Sequence, residues 1–148
     1  DLVLARGEFR PVLTGGPEES ALIERLLAGR PGVIDGRGGG LAMLAAELTL
    51  ASAFVGGDSG PTHIARAVGT PAIAIHGPTP ADAVHDAGPY HVVSRGLDCQ
   101  PCSTSGDDEC PLGHHRCMRE ILPEQVYEAL RRHAGDPAGQ PGAAGPAS

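Results

Sequence analysis

Gly56–His76 reads GGDSGPTHIARAVGTPAIAIH, and the punctuation of this stretch decides the fold class. The apolar run Ala53-Phe54-Val55 predicts a buried strand that ends at Gly56-Gly57. Pro61 suits the first turn of a helix, where a missing N–H forfeits no intrahelical bond. The helix is expected to reach Val68, with Gly69 and Pro71 as its stop, and Ala72–Ile75 forms the next buried strand. Strand, loop, helix and strand in this order make one unit of a parallel sheet. Asp58, Ser59 and His63 fall at the carboxyl end of its first strand, the edge where open parallel sheets bind ligands.

The flanking segments repeat the alternation. Arg10–Thr14 predicts a short strand entering the tight loop Gly15-Gly16-Pro17. Glu18–Ala28 predicts a helix, with Ala21, Leu22, Leu26 and Leu27 on one face and Gly29 as its stop. Val33-Ile34 is a short strand, Leu41–Leu50 a second apolar helix, Val92-Val93 a further strand and Pro123–Ala134 a final helix. Such alternation argues for an α/β fold, a parallel sheet covered by helices on both faces with right-handed crossovers. One domain over residues 1–134 suits the length of 148 residues. The last fourteen residues, 135–148, hold eleven Gly, Pro or Ala and are expected to be disordered.

The chemistry of the Asp58–His63 loop follows from its position. N–H groups at a helix start, together with the positive end of the helix dipole, attract phosphate. Gly60 permits close approach of the backbone, Ser59 adds a hydroxyl donor, and His63 falls in the first turn if Gly60 is the cap. A carboxylate repels phosphate, so Asp58 is expected to cap the helix or to accept hydrogen bonds from sugar hydroxyls. The residues alone equally allow a plainer reading, in which Asp58 and Ser59 only cap a helix and His63 is an ordinary surface histidine. Thr14-Gly15-Gly16-Pro17-Glu18-Glu19 likewise joins a strand to a helix start on the ligand edge, where acidic residues also serve the helix dipole. In Gly77-Pro78-Thr79-Pro80 a plain turn is the simpler reading, although Thr79 could line the same cleft. No role is assigned to His85, His91 or His133.

Composition excludes other classes. A net charge of −7 is the wrong sign for a nucleic-acid binder or for general attraction to an anionic membrane. Aromatic content of 3%, without Trp, leaves few stacking platforms for single strands. The eleven basic residues are all Arg. No membrane span or signal peptide is visible, and the chain opens on Asp1 as though cut from a longer cytosolic polypeptide. The four cysteines form the spacing C-x2-C-x7-C-x6-C at Cys99, Cys102, Cys110 and Cys117, with His114 and His115 before the last. The first pair has the form of half a zinc site, whereas the second is wider than a usual knuckle. Buried or free thiols are the alternative, and a structural zinc would staple the loop Leu97–Met118 without taking part in chemistry.

Asp58-Ser59-Gly60-Pro61-Thr62-His63-Ile64-Ala65 resembles the D-[ST]-G-x-x-H-x-A signature of the bacterial heptosyltransferases, glycosyltransferase family 9. Pro11–Glu19, Gly77-Pro78-Thr79 and Cys99–Ile121 resemble segments of the same family in the same order, so the resemblance runs over most of residues 2–133. It implies the carboxyl-terminal, donor-binding half of a two-domain GT-B enzyme, Rossmann-like in fold, that moves heptose from ADP-heptose to a lipopolysaccharide core acceptor. It implies donor contacts from Thr14, Gly15, Asp58, Ser59, Gly60 and His63, with His63 and Asp58 at the reacting end. Glu18, with Glu19 one residue away, would take the ribose hydroxyls, and Gly38-Gly39-Gly40 would lie near the base. No cofactor is required, and nothing resembles the paired acidic motif of metal-dependent sugar transferases. The general base would belong to an amino-terminal domain outside this chain, so the chain alone should bind donor but turn over little. Location would be cytoplasmic, at the inner membrane surface through a lipid-linked acceptor. The alternatives are a GT-B relative using another nucleotide sugar, and a noncatalytic binding module stapled by zinc.

Overall fold

The computed structural model describes residues 1–81, 89–104, 106 and 109–135. Its elements are α1 (Leu2–Arg6), β1 (Val12–Leu13), a 3-10 turn (Pro17–Glu19), α2 (Ser20–Leu27), β2 (Ile34–Asp35), α3 (Gly40–Leu50), β3 (Phe54–Gly57), α4 (Gly60–Ala67), β4 (Ala72–His76), β5 (Tyr90–Ser94), α5 (Arg116–Arg119) and α6 (Pro123–His133). They group into two compact units, Asp1–Glu47 and a second beginning at Leu48.

In the first unit β1 and β2 pair in parallel, Val12 with Ile34 and Leu13 with Asp35. The amphipathic α2 buries Ile23. Beyond β2, Arg37 grips both oxygens of Asp35, Nε to Oδ1 at 2.9 Å and Nη2 to Oδ2 at 2.7 Å, and donates to the Ser20 carbonyl at 3.1 Å. The exit of β2 is thus tied to the start of α2. The hydrogen bonds from the Arg37 side chain and backbone hold the Asp35 carboxyl down at about 2, against an ordinary 3.8. A carboxyl depressed in the folded state stabilises above its unfolded pKa, and the contribution fades as pH falls from about 4 to about 2. Asp35→Asn is therefore expected to lower stability at neutral pH and to flatten its acid dependence across that window, read by chemical denaturation at stepped pH. The effect should be small, because the pair is exposed.

In the second unit β3, β4 and β5 form one parallel sheet in that order, with Phe54 opposite Ala72 and Ala72 opposite Tyr90. Ala72, Ile73 and Ala74 are successive residues of the central strand, and all three are fully buried. Successive side chains point to opposite faces, so both faces of β4 are covered, as the sequence alternation predicts. α4 packs on β3 and β4, and α6 packs on β4 and β5. α4 contributes Thr62 and Ala65 to the core, and α6 contributes Tyr127 and Leu130. Gly56 is a packing glycine: a Cβ there would stand 2.6 Å from the Phe54 ring, and its smallness lets β3 run on through Gly57. His91 on β5 and His133 on α6 stack face to face, and burial followed by the charge of its partner lowers the pKa of His91. Gly135, the first residue of the tail expected to be disordered, donates its N–H to the Ser52 carbonyl at 2.8 Å. The rest of that tail, and His85, lie outside the described residues.

Candidate functional site

The β3–α4 loop places Asp58, Ser59, Gly60 and His63 together at the carboxyl edge of the sheet. Helical bonding starts at Ser59, whose carbonyl accepts from the Thr62 N–H at 3.1 Å and the His63 N–H at 3.3 Å. Ser59 is therefore the cap residue, in extended conformation (φ −152°, ψ 170°), and Gly60 is the first helical residue. The cap thus falls one position before Gly60, and His63 sits at the end of the first turn. Ser59 makes no side-chain capping bond; its hydroxyl donates to the Gly57 carbonyl at 3.4 Å. The Thr62 hydroxyl donates to the same carbonyl at 2.5 Å, which pins the strand exit against the helix. The Gly60 N–H then lies ahead of the first helical bond, at the mouth of α4.

Asp58 does not cap the helix. Its Oδ1 stands 3.7 Å from Nε2 of His63, an ion pair whenever the imidazole carries a proton. The His63 side chain is 54% exposed, so it is open to a ligand while its orientation is guided by the carboxylate. Free N–H groups and the positive end of the dipole at the start of α4 are the features of a helix that attract phosphate, and His63 lies on the same first turn.

A buried polar network backs this edge, and sequence reasoning missed it. His76, fully buried at the end of β4, meets the Tyr90 hydroxyl through Nε2 at 2.8 Å and the Thr79 hydroxyl through Nδ1 at 3.4 Å. Thr79 is thus engaged by His76, in keeping with the plainer reading of its turn. The Arg66 guanidinium lies 5.9 Å over the Tyr90 ring. Burial and then the nearby Asp58 charge raise the pKa of the phenol, while Arg66 opposes them. Asp58, Tyr90 and His76 therefore belong to one electrostatic neighbourhood. Strand spacing cannot reveal this, because the groups are joined by side-chain reach between strands.

In the first unit Thr14 and Gly15 follow β1, and Gly16 opens the 3-10 turn. Glu19 Oε2 accepts the Gly16 N–H at 2.8 Å, so its carboxylate closes the turn. Glu18 is exposed, its carboxylate beside the Cα of Gly16. Gly15 is held to glycine by packing: a Cβ would come within 2.6 Å of the Glu19 carboxylate and 2.8 Å of the Ile23 side chain. Gly40, left-handed at φ 66°, opens α3 immediately after the Gly38-Gly39 pair.

The cysteine loop is anchored to the exit of β4. The Gln100 side chain accepts from the Leu97 N–H and donates to the Gly77 carbonyl, and the Cys102 N–H bonds the Pro78 carbonyl at 3.0 Å. Met118 and Cys117 pack against Gly77. All four cysteines are free thiols, with Cys117 buried and Cys102 exposed. Burial, followed by the charges of Cys110, Cys117 and Cys99 in that order, raises the pKa of Cys102. Backbone N–H groups of residues 112–115, His115 foremost, lower that of Cys110. Among the described residues no three His, Cys, Asp or Glu side chains are arranged to hold a metal ion.

The fold is α/β with helices packed on a parallel sheet, and comparison with known proteins gives the family. The chain belongs to glycosyltransferase family 9 (heptosyltransferase), whose family model matches residues 5–113. It is similar to lipooligosaccharide heptosyltransferase 2 of Campylobacter jejuni serotype O:6, 32% identical over 94 residues, covering 60% of this chain and 28% of that protein. The serotype O:2 counterpart is 32% identical over 93 residues, covering 60% and 27%. In fold it resembles the structure of E. coli ADP-heptose LPS heptosyltransferase II, with a TM-score of 0.68 and 22% identity over 88% of this chain and 38% of the other. A family 9 glycosyl transferase from Veillonella parvula gives a TM-score of 0.65 at the same identity and coverages. The chain thus spans under two fifths of the length of each of these relatives. No helix among the described residues is long and apolar enough to cross a membrane.

Proposed function

We propose that this chain is the donor-binding half of a glycosyltransferase that moves heptose from ADP-heptose to a lipopolysaccharide core acceptor. The observation that carries the reading is the first turn of α4, which follows Asp58 and Ser59 at the carboxyl edge of the sheet and bears the exposed His63 3.7 Å from the Asp58 carboxylate. Transfer from an activated sugar requires stabilisation of the departing diphosphate and a base for the acceptor hydroxyl. The α4 mouth and His63 supply the first, because their donors point to where negative charge grows as the sugar–phosphate bond breaks. Asp58 orients His63 and accepts from sugar hydroxyls. Thr14 and Gly15 line the donor loop, and Glu18 takes the ribose hydroxyls as a bidentate acceptor. The base comes from an amino-terminal domain that this chain does not contain. No cofactor enters the reaction, and the lipid-linked acceptor brings the enzyme to the cytoplasmic membrane surface.

The test is transfer by this chain joined to an amino-terminal acceptor domain of the family. Product from ADP-heptose is expected. Product from UDP- or GDP-sugars alone would replace the donor, and none from any nucleotide sugar would defeat the proposal. Glu18→Gln is expected to weaken ADP binding about tenfold, roughly 1.4 kcal/mol, the scale of one hydrogen-bonded charged acceptor. Glu19→Gln, which loosens the closed turn, should instead lower thermal stability with little change in affinity. Isothermal titration beside thermal melts separates the two.

A further inference from the structure

Cys102, Ser103, Cys110, His115, Cys117 and Met118 border one open cavity of about 130 Å³ beside the exit of β4. Three of the four thiols in the chain thus share a single small space. Their spacing in sequence has the form of a zinc site, but their side chains are not gathered as a ligand set. Accessibility divides them: Cys102 is exposed, Cys110 half-buried and Cys117 buried. Cys117 is shielded, so Cys102 and Cys110 are the two thiols of this cavity that a reagent in solvent can reach. The cavity admits a small reagent, and the backbone of Cys102 is already fixed to Pro78.

We propose that Cys102 and Cys110 form a thiol modification site, which a low-molecular-weight disulfide converts into an internal Cys102–Cys110 bridge. One protein thiol attacks a sulfur of the reagent R–S–S–R, giving a mixed disulfide and releasing one RSH. The second protein thiol attacks the protein-bound sulfur of that mixed disulfide and releases the second RSH. Two electrons pass from the two protein thiols to the reagent, and their two protons leave on the two RSH molecules. Bridging ties the segment anchored to Pro78 to the turn that follows Cys110, stiffening the loop beside the His76–Thr79 pair.

The test treats the chain with oxidised glutathione, blocks free thiols without reduction and maps peptides by mass spectrometry, with metal content measured in parallel. The expected product has lost two hydrogens, links Cys102 to Cys110 and reverts with dithiothreitol. Cys102→Ser and Cys110→Ser should each stop at a glutathione adduct on the remaining thiol, with melting curves confirming that both variants stay folded. Four freely alkylated cysteines after the oxidant would overturn the proposal, as would a bridge through Cys99 or Cys117. So would one equivalent of zinc that shields the thiols until a chelator removes it.

Discussion

Asp58→Ala and His63→Ala, each placed in this chain joined to an amino-terminal domain from a member of the family, are expected to cut transfer at least tenfold. That is about 1.4 kcal/mol of transition-state stabilisation per variant. The reason lies in the helix mouth. Its N–H groups are backbone and survive both substitutions, so a residual rate should remain. The imidazole, 3.7 Å from the Asp58 carboxylate, is the one side-chain donor that these two residues control. Removing His63 deletes it, and removing Asp58 releases it into its exposed range of rotamers. Because the two residues act as a pair, the double variant should lose little more than the worse single one. Steady-state kinetics on all three proteins checks this, and near wild-type transfer by both single variants would discard the site.

Ile73→Ala should produce the largest loss of stability. Ile73 is fully buried at the centre of β4, and its neighbours Ala72 and Ala74 point to the opposite face, where they cannot fill the void. The cost combines lost transfer energy with an unfilled cavity and is about 2–5 kcal/mol. The parallel ladder on both sides, Ile73 to Val55 and Ile73 to His91, limits collapse and favours the upper part of that range. Urea denaturation should show a lower midpoint with an unchanged slope. A loss below about 1 kcal/mol would mean that the sheet repacks freely around the site, contrary to the covered central strand.

Much of the second unit was legible in the sequence because its boundaries are written in glycine and proline. Gly56-Gly57 ends β3, Pro61 opens α4, and Gly69 with Pro71 precedes β4. The continuous apolar run at Ala72–Ile75 announced a strand covered on both faces, and burial follows it. Elements set by fewer signals were not anticipated. α1 spans five residues without a side-chain cap, and α5 only four, begun by His115 in left-handed conformation. Neither is long enough to show periodicity. Arg10–Thr14 shortens to the two residues Val12–Leu13, because strand length depends on what pairs with it.

The site was legible as a set of residues but less so as a set of roles. Asp58, Ser59, Gly60 and His63 were fixed to one edge by the strand–helix pattern. Which residue caps the helix was decided by Ser59 adopting an extended conformation, a backbone choice that composition leaves open. Glu18 and Glu19 are alike in sequence, and only the fold shows Glu19 bonded to the Gly16 N–H. His76 and Tyr90 are fourteen residues apart, and their hydrogen bond arises from side chains reaching across neighbouring strands.

The most direct test of the donor-site account is calorimetric titration of this chain with ADP, UDP and GDP, repeated on Glu18→Gln and His63→Ala. The account predicts binding of ADP in preference to the other two, weakened by both substitutions. Absence of binding, or tighter binding of UDP or GDP, would contradict it.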